Sequence, residues 1–600
     1  MCGITGYVGT EDCSSFLADS LKNLEYRGYD SVGVALLDGT LQVNKQSGQI
    51  EDLSLPSTTE ATCGIGHTRW STHGPPTDEN AHPHTDCHGE ISIVHNGIIS
   101  NYEDHKRDLE LTHEFTSDTD SEVIAHLLEE ELVGDTDLPK AVRNVVEKLE
   151  GSFAIAVAVA GYDGIVAARQ DSPLVVGHTD TAKFLASDIT AFVEQTRTVT
   201  FLEDGDVAHL TEDNLSIAND GAVVERDRQT VDWDADAAEK SGYEHYMHKE
   251  IHEQPHAVRQ SLSGRIDSLT GDVDLDIDAP IEYWKSIQEI QIVACGTSNY
   301  AARYAAELLE THTNLRVTVH VASEYEYRTS YDPWETLVIA VTQSGETADT
   351  LQALRMAVDS GARTLAVTNT VGSTVTREVD QTLYIRAGPE IGVAATKTFA
   401  SQVVTLTLFT IHLGRQRDEL ESETATELLK NLHDLPEAIQ TVLDGESQVR
   451  RLAERFANSD AFFYIGRRLG HPVALEGALK LKEISYDHAE GFPGGELKHG
   501  PLALVTEQTP VIALLTPGSE PDEMAKNIKE VQAREAPIIG IGIRGDTGKT
   551  VDTFLGLPNL GDLTPVLANV YLQLFAYHIA NVKDRAIDKP RNLAKSVTVE

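Results

Sequence analysis

Short apolar and β-branched runs fill the first third of the chain, among them Thr5-Gly6-Tyr7-Val8, Ser92-Ile93-Val94-His95 and Ser152-Phe153-Ala154-Ile155-Ala156-Val157. Runs of this length predict strands. A few stretches of helical period lie between them. One covers residues 121–132, where Ser-Glu-Val-Ile follows Asp120 and predicts a helix with that aspartate as its N-cap. Sheets packed with helices, an α+β arrangement, are expected over residues 2–217. From 218 to 279 the pattern turns polar, with Asp272, Asp274, Asp276 and Asp278 in alternation. That run lacks the glycine and distal glutamate of a calcium loop, so a solvated acidic linker is expected.

After Pro280 the period changes to strand, glycine turn and helix. Ile290-Gln291-Ile292-Val293-Ala294 runs into Cys295-Gly296-Thr297-Ser298, and Thr336 to Val341 repeats the scheme before Thr342-Gln343-Ser344-Gly345-Glu346-Thr347. Residues 364–368 supply a third strand. The same series returns downstream at offsets of 170 (Gly296 to Gly466), 173 (Val338 to Val511) and 174 (Thr364 to Ile538). A nearly constant shift implies a duplicated doubly wound α/β domain. The two copies are expected over 280–420 and 452–590, with a polar helical connector at 420–444 and a tail at 591–600.

Composition narrows the function classes. The formal charge of −47 is spread along the chain, which argues against a nucleic-acid partner, because phosphate neutralisation needs clustered Lys and Arg. Self-repulsion of that size is best tolerated where salt screens it, so a salt-rich cytoplasm and a halophilic protein are expected. No charged leader precedes Cys2, and the longest apolar run, near residues 153–160, is too short to span a bilayer. A soluble, cytoplasmic protein is expected. Cysteines at 2, 13, 63, 87 and 295 are odd in number and lack CxxC spacing, so reduced thiols are expected rather than disulfides or a zinc ribbon.

Candidate chemistry clusters at strand ends, where helix N-termini present free N–H groups to anions. Residues 342–347 bring three hydroxyls and a glycine to such a place and read as a phosphate cradle or, failing that, as a capping turn. Its counterpart, Thr516-Pro517-Gly518-Ser519, is poorer in donors, so one copy is expected to bind and the other to support. Gly548-Lys549-Thr550 is no nucleotide P-loop, since position 543 is Ile where that motif needs glycine. His82, His84, Cys87 and His88 form a loop cluster with no partner ligand evident, and no metal is expected there. Glu476, Lys480, Lys482 and Glu483 share a helical run ahead of Gly494-Gly495-Glu496-Leu497-Lys498-His499-Gly500-Pro501. Carboxylate, lysine and histidine together can move protons beside a carbonyl. Cys2, once Met1 is removed, holds a thiol and a free α-amine with pKa values of about 8.5 and about 7.7–8.0, nucleophile and base in one residue.

Several ordered stretches carry a family resemblance: Cys2-Gly3-Ile4, Tyr26 to Ser31, His67 to Gly74, His95-Asn96-Gly97-Ile98-Ile99, Glu390-Ile391-Gly392-Val393, Glu496 to Pro501 and Pro590 to Glu600. Over nearly its whole length the chain resembles the glutamine–fructose-6-phosphate aminotransferase (isomerising) family, the glucosamine-6-phosphate synthases. The resemblance implies a class II glutamine amidotransferase domain of the N-terminal-nucleophile (Ntn) type followed by two sugar-isomerase (SIS) domains. Cys2 would attack the glutamine amide, and Asn96 with the Gly97 N–H would hold the oxyanion. Arg69, Trp70, Thr72, His73 and Asp120 would bind glutamine, with Trp70 also gating ammonia. Thr297, Ser298, Thr342, Gln343, Ser344 and Thr347 would bind the sugar phosphate. His499 would open the sugar ring, Lys595 form a Schiff base at C2, Glu483 move the proton between C1 and C2, and Lys480 attend the hydroxyls. The substrates would be glutamine and fructose 6-phosphate, the assembly a homodimer, with no metal or organic cofactor and no nucleic-acid or membrane partner. An amidotransferase serving another sugar phosphate, or a sugar-phosphate-binding regulator without catalysis, are the competing readings. The regulator has no need of Cys2, Glu483, His499 and Lys595 together, and Lys595 suits an acceptor carbonyl. Thr342 stands where the family usually has Ser, and Gly494 and Gly495 replace bulkier residues.

Overall fold

The computed structural model describes all residues except 1, 26, 27, 29, 54–60, 70–73, 133–136, 171, 232–239, 241, 268–271, 276, 278, 544, 546–550, 599 and 600. The chain divides into two compact units, residues 1–238 with 594–600, and residues 239–593.

The first unit is built on two antiparallel sheets. In the eight-stranded one, Gly3–Gly9 lies between Ala182–Ala186 and Cys63–Arg69; in the seven-stranded one, Ile91–Ile99 lies between His84–Thr85 and Gly151–Val159. Ile4, Val8 and Ile65 of one sheet pack with Val94, Ala154, Ala156 and Ala158 of the other. The outer faces are covered by helices. Cys13–Leu24 buries Cys13, Leu17, Leu21 and Leu24, one face of a 3.6-residue period. Its N-terminus is capped by Asp12, whose Oδ1 accepts the Ser14 N–H at 2.8 Å. Glu122–Glu131 and Leu138–Val146 cover the other sheet. This helix–sheet–sheet–helix layering leaves the strand Gly3–Gly9 buried on both faces, which is why it reads as a run rather than an alternation.

The cap expected of Asp120 is not made. Ser121 occupies the N-cap position of Glu122–Glu131 without a side-chain bond, and Asp120 Oδ2 instead accepts the Ile99 N–H at 2.9 Å. The segment 218–279 is not a free linker either. Ala222–Val224 and Gln229–Thr230 extend the two sheets at their edges. The helices Tyr246–His252 and Gln254–Leu262 bury Met247, Ile251, Ala257 and Val258 in the core of the second unit. Asp272 lies 3.2 Å from Arg415, while Asp276 and Asp278 fall outside the described residues.

The second unit holds two five-stranded parallel sheets of matching order. The first runs Arg316–Val321, Glu289–Ala294, Thr336–Val341, Arg363–Thr368, Gln381–Tyr384; the second His488–Pro493, Ala461–Gly466, Val511–Leu515, Ile538–Gly542, Thr553–Gly556. The repeat extends to the helices. Gly296–Thr313 and Gly470–Ser485 each follow the first strand of their copy, and both end on a left-handed residue, Asn314 or Tyr486. Lys397–Gln416 and Thr564–Val582 are buried on nearly every side, as helices at the centre of an α/β core must be. The expected polar connector is a helix, Ser422–Leu443, that buries Leu428, Leu432, Leu435, Ile439 and Val442 at alternating steps of four and three. Among the described residues no helix is long and apolar enough to cross a membrane.

Candidate active sites

Cys2 is half-buried and leads into the strand Gly3–Gly9. The Asn96 Nδ2 donates to the Cys2 carbonyl at 3.0 Å. Which end of that amide faces Cys2 is decided by His67. Its Nε2 lies 3.0 Å from the His95 carbonyl and 3.0 Å from Asn96 Oδ1. A carbonyl can only accept, so Nε2 carries the proton, and the Asn96 oxygen turns to it. The amide nitrogen is left pointing at Cys2. Complete burial pushes the His67 pKa down to about 3, against the opposing hydrogen bond to Asn96, and the ring is neutral at physiological pH. Gly97 has φ +129°, and a Cβ there would lie 2.0 Å from the Ser152 carbonyl oxygen, so only glycine fits beside Asn96.

Asp120 is held to the same strand by the Ile99 N–H. Arg69 is buried at the end of Cys63–Arg69, and its guanidinium donates to the Gly74 and Pro75 carbonyls at 3.2 and 3.4 Å. Burial pulls its pKa down, while the neighbouring charges of Cys2, Asp30 and Asp120 oppose that pull. A cation and an anion beside a thiol suit an α-carboxylate and an α-ammonium. Trp70, Thr72 and His73 lie outside the described residues.

In the second unit, Thr342-Gln343-Ser344-Gly345-Glu346-Thr347 joins Thr336–Val341 to the helix Ala348–Asp359. The Gly345 N–H donates to Thr342 Oγ1 at 3.2 Å and the Glu346 N–H to Ser344 Oγ at 3.2 Å. Gly345 sits at φ +73°, with Ser373 Oγ only 2.1 Å from where a Cβ would stand. Ser298, in the first turn of Gly296–Thr313, accepts from Gln402 Nε2 at 2.9 Å. The counterpart turn differs: Thr516 Oγ1 and Ser519 Oγ are fully buried and bonded to each other at 2.6 Å. Thr342 Oγ1 and Thr347 Oγ1 of the first copy are also in contact, at 3.3 Å, but Thr347 is only half-buried.

Glu476, Lys480 and Glu483 share one face of Gly470–Ser485, and Lys482 is exposed on another. Lys480 Nζ lies 2.6 Å from Glu483 Oε2, 3.5 Å from Glu476 Oε1 and 3.1 Å from Thr297 Oγ1, to which it donates. Thr297 donates its own proton to Glu476 Oε1 at 3.1 Å. The two carboxylates hold the Lys480 ammonium raised in pKa against the opposing effect of complete burial.

Comparison with known proteins matches residues 67–194 to a glutamine amidotransferase domain profile and residues 284–412 and 455–548 to the SIS domain profile. A glutamine–fructose-6-phosphate aminotransferase [isomerizing] of Halobacterium salinarum is 60% identical over all of both chains, and one from Thermus thermophilus 46% identical, again over all of both. The chain belongs to the glutamine–fructose-6-phosphate aminotransferase (isomerising) family. Among solved structures it is similar to the C-terminal domain of the glucosamine-fructose-6-phosphate aminotransferase from Francisella tularensis, at 35% identity and a TM-score of 0.55, covering 59% of this chain and 99% of that one. The fold is accordingly an amidotransferase domain followed by SIS domains.

Within this aminotransferase family's plan, the structure brings Cys2, Asn96 and Gly97 together, and separately Thr297, Lys480 and Glu483. It leaves His499 exposed at the end of the 3₁₀ segment Gly494–His499. Lys595 is half-buried in the tail that groups with the first unit. Two residues of these sites, His67 and Glu476, lie in stretches the sequence singles out but receive no individual role there. The signal for Glu476 is its i,i+4 spacing from Lys480; His67 has none, because its role rests on a contact across 29 positions.

Proposed function

We propose that the chain converts fructose 6-phosphate and glutamine into glucosamine 6-phosphate and glutamate. The observation that carries the first half is the Asn96 amide nitrogen directed at Cys2 by His67. With Met1 removed, the Cys2 sulfur attacks the side-chain carbonyl of glutamine, and the α-amine, through water, takes the thiol proton and returns it to the leaving nitrogen. Ammonia departs, a thioester remains, and water releases glutamate. Asn96 Nδ2 and the Gly97 N–H hold the negative oxygen, a role worth about 10²–10³ in rate per donor. Arg69 takes the α-carboxylate and Asp120 the α-ammonium; Trp70, Thr72 and His73 complete that pocket, with Trp70 gating the ammonia.

In the sugar half, Ser298, Thr342, Gln343, Ser344 and Thr347, with Thr297 alongside, seat the phosphate of fructose 6-phosphate. Support comes from the hydroxyl-rich strand-end turn and from the complete burial of the hydroxyl-bearing residues of its counterpart. His499 opens the ring, and its exposure fits a histidine delivered to a neighbouring copy in a homodimer. The Lys595 amine condenses with the C2 carbonyl and releases water. Ammonia displaces the lysine, and Glu483 then carries a proton from C1 to C2, leaving an aldehyde at C1 and the amine at C2. Lys480 pairs with Glu483 and attends the open-chain hydroxyls. The chain's own groups, side chains and the Cys2 α-amine, supply the bases, and the setting is cytoplasmic.

The test is product analysis with glutamine and fructose 6-phosphate at high KCl. Glucosamine 6-phosphate and glutamate should form in equal amounts. Lys595→Ala should lose the amino sugar while still hydrolysing glutamine, and Cys2→Ala should lose glutamine use. Amino-sugar synthesis surviving Lys595→Ala would remove the Schiff base from the scheme.

A further inference from the structure

Of the loop cluster His82, His84, Cys87 and His88, two members turn inward. The His82 ring stacks on His67 at 4.2 Å, and His84 Nε2 bonds Thr119 Oγ1 at 3.0 Å. Cys87 turns the other way and meets residues the sequence spacing does not connect to it. Its sulfur lies 3.6 Å from His113 Nδ1 and 3.7 Å from His126 Nδ1. Glu129 Oε2 lies 3.0 Å from His113 Nδ1 and 3.3 Å from His126 Nδ1. The four donor atoms all fall within 4.8 Å of one another.

We propose that Cys87, His113, His126 and Glu129 bind one zinc ion in a closed, structural site. With Zn–S about 2.3 Å and Zn–N and Zn–O about 2.0–2.1 Å, a tetrahedron has S–N edges of about 3.6 Å and N–O edges of about 3.4 Å. The sulfur contacts match, and the carboxylate contacts are shorter by a few tenths of an ångström, which rotation of one side chain takes up. One thiolate and one carboxylate balance the charge of the ion, and two neutral imidazoles complete the set. A mixed thiolate, imidazole and carboxylate set selects zinc over calcium or magnesium, which prefer all-oxygen shells.

The surrounding groups also fit. Both histidines offer Nδ1 inward and turn Nε2 to a carboxylate, Glu122 Oε1 at 3.8 Å from His126 and Glu130 Oε1 at 3.5 Å from His113. Carboxylates behind the ligating imidazoles are the usual outer shell of zinc. The exposed His88 reaches only the second oxygen, Glu129 Oε1, at 3.5 Å, and is not needed as a ligand. The ion would tie the turn before Ile91–Ile99 to the helix Glu122–Glu131 and to the segment before it. Binding releases the Cys87 thiol proton and contributes directly to folding.

The experiment uses the full chain, stripped with chelator and titrated with zinc or cobalt. One equivalent of zinc should bind per chain and raise the unfolding midpoint. Cobalt should give the intense visible bands of a tetrahedral ion with a thiolate-to-metal charge-transfer band. Those signals should persist in Cys2→Ala and in His88→Ala, and vanish in Cys87→Ala and His113→Ala. Absence of a bound equivalent in the wild-type chain, or a thiolate–cobalt signature undiminished by Cys87→Ala, would overturn the assignment. Because the wild-type metal content and spectrum are read first, a poorly folding variant does not decide the outcome.

Discussion

Lys480 Nζ and Glu483 Oε2 stand 2.6 Å apart, the lysine wholly buried and the glutamate one-fifth exposed. Water therefore reaches the pair only from the carboxylate side. Removing the cation with Lys480→Met leaves two carboxylates facing a buried aliphatic chain. A loss of about 3–5 kcal/mol is typical when one partner of a buried pair is taken away. Chemical unfolding should show a loss of that order at pH 8 and a smaller one at pH 5, where Glu476 can hold a proton. An equal loss at both values would mean that Glu476 is not affected by Lys480.

The second carboxylate has its own pH signature. Burial pushes the Glu476 pKa from its ordinary 4.5 up to about 8; the Lys480 cation opposes this, and the Glu483 charge adds to it. A raised pKa means that the folded protein favours the protonated form. Its stabilising contribution is complete below about pH 4.5 and is lost as pH rises through about 8. Glu476→Gln, which copies the protonated form, should flatten the fall of the unfolding midpoint between pH 5 and pH 9. Parallel curves for variant and wild type would argue that the carboxyl is ionised throughout.

In the proposed scheme His67 acts on the reaction by turning Asn96. His67→Phe keeps the ring volume and removes the N–H, so the amide can rotate away from Cys2. Glutamine hydrolysis should fall by about 10–10² in kcat, below the full cost of an oxyanion donor, with KM for glutamine little changed. His67→Gln, which restores a donor, should recover part of the rate. Since the wild-type ring is neutral, the effect should not vary between pH 6 and pH 9.

A formal charge of −47 on 600 residues repels itself over distances set by salt. The screening length falls from about 10 Å at 0.1 M to about 3 Å at 1 M. The unfolding midpoint should climb steeply as KCl is raised into the molar range. A flat response would remove charge repulsion as a factor in stability.

Much of this architecture is legible in the amino-acid sequence. Parallel strands buried on both faces leave unbroken apolar runs, so residues 290–294 and 336–341 and their repeats can be placed from the pattern alone. Residues 218–279 mislead because a segment that packs by a few well-spaced side chains, such as Met247 and Ile251, looks polar on average. Asp120 reads as a cap because it precedes a helix, whereas its partner Ile99 lies 21 positions away. Contacts of that kind depend on tertiary packing, for His67 with Asn96 on the stacking of two sheets, and no local pattern records them.

The hydroxyls of Thr516 and Ser519, closed on each other, have a consequence for stoichiometry. A duplicated domain could have kept two seats for sugar phosphate, and each chain would then have had two acceptors for one source of nitrogen. In the proposed scheme the second copy is scaffolding, so each chain would match one donor to one acceptor, and the nitrogen freed at Cys2 would have a single destination.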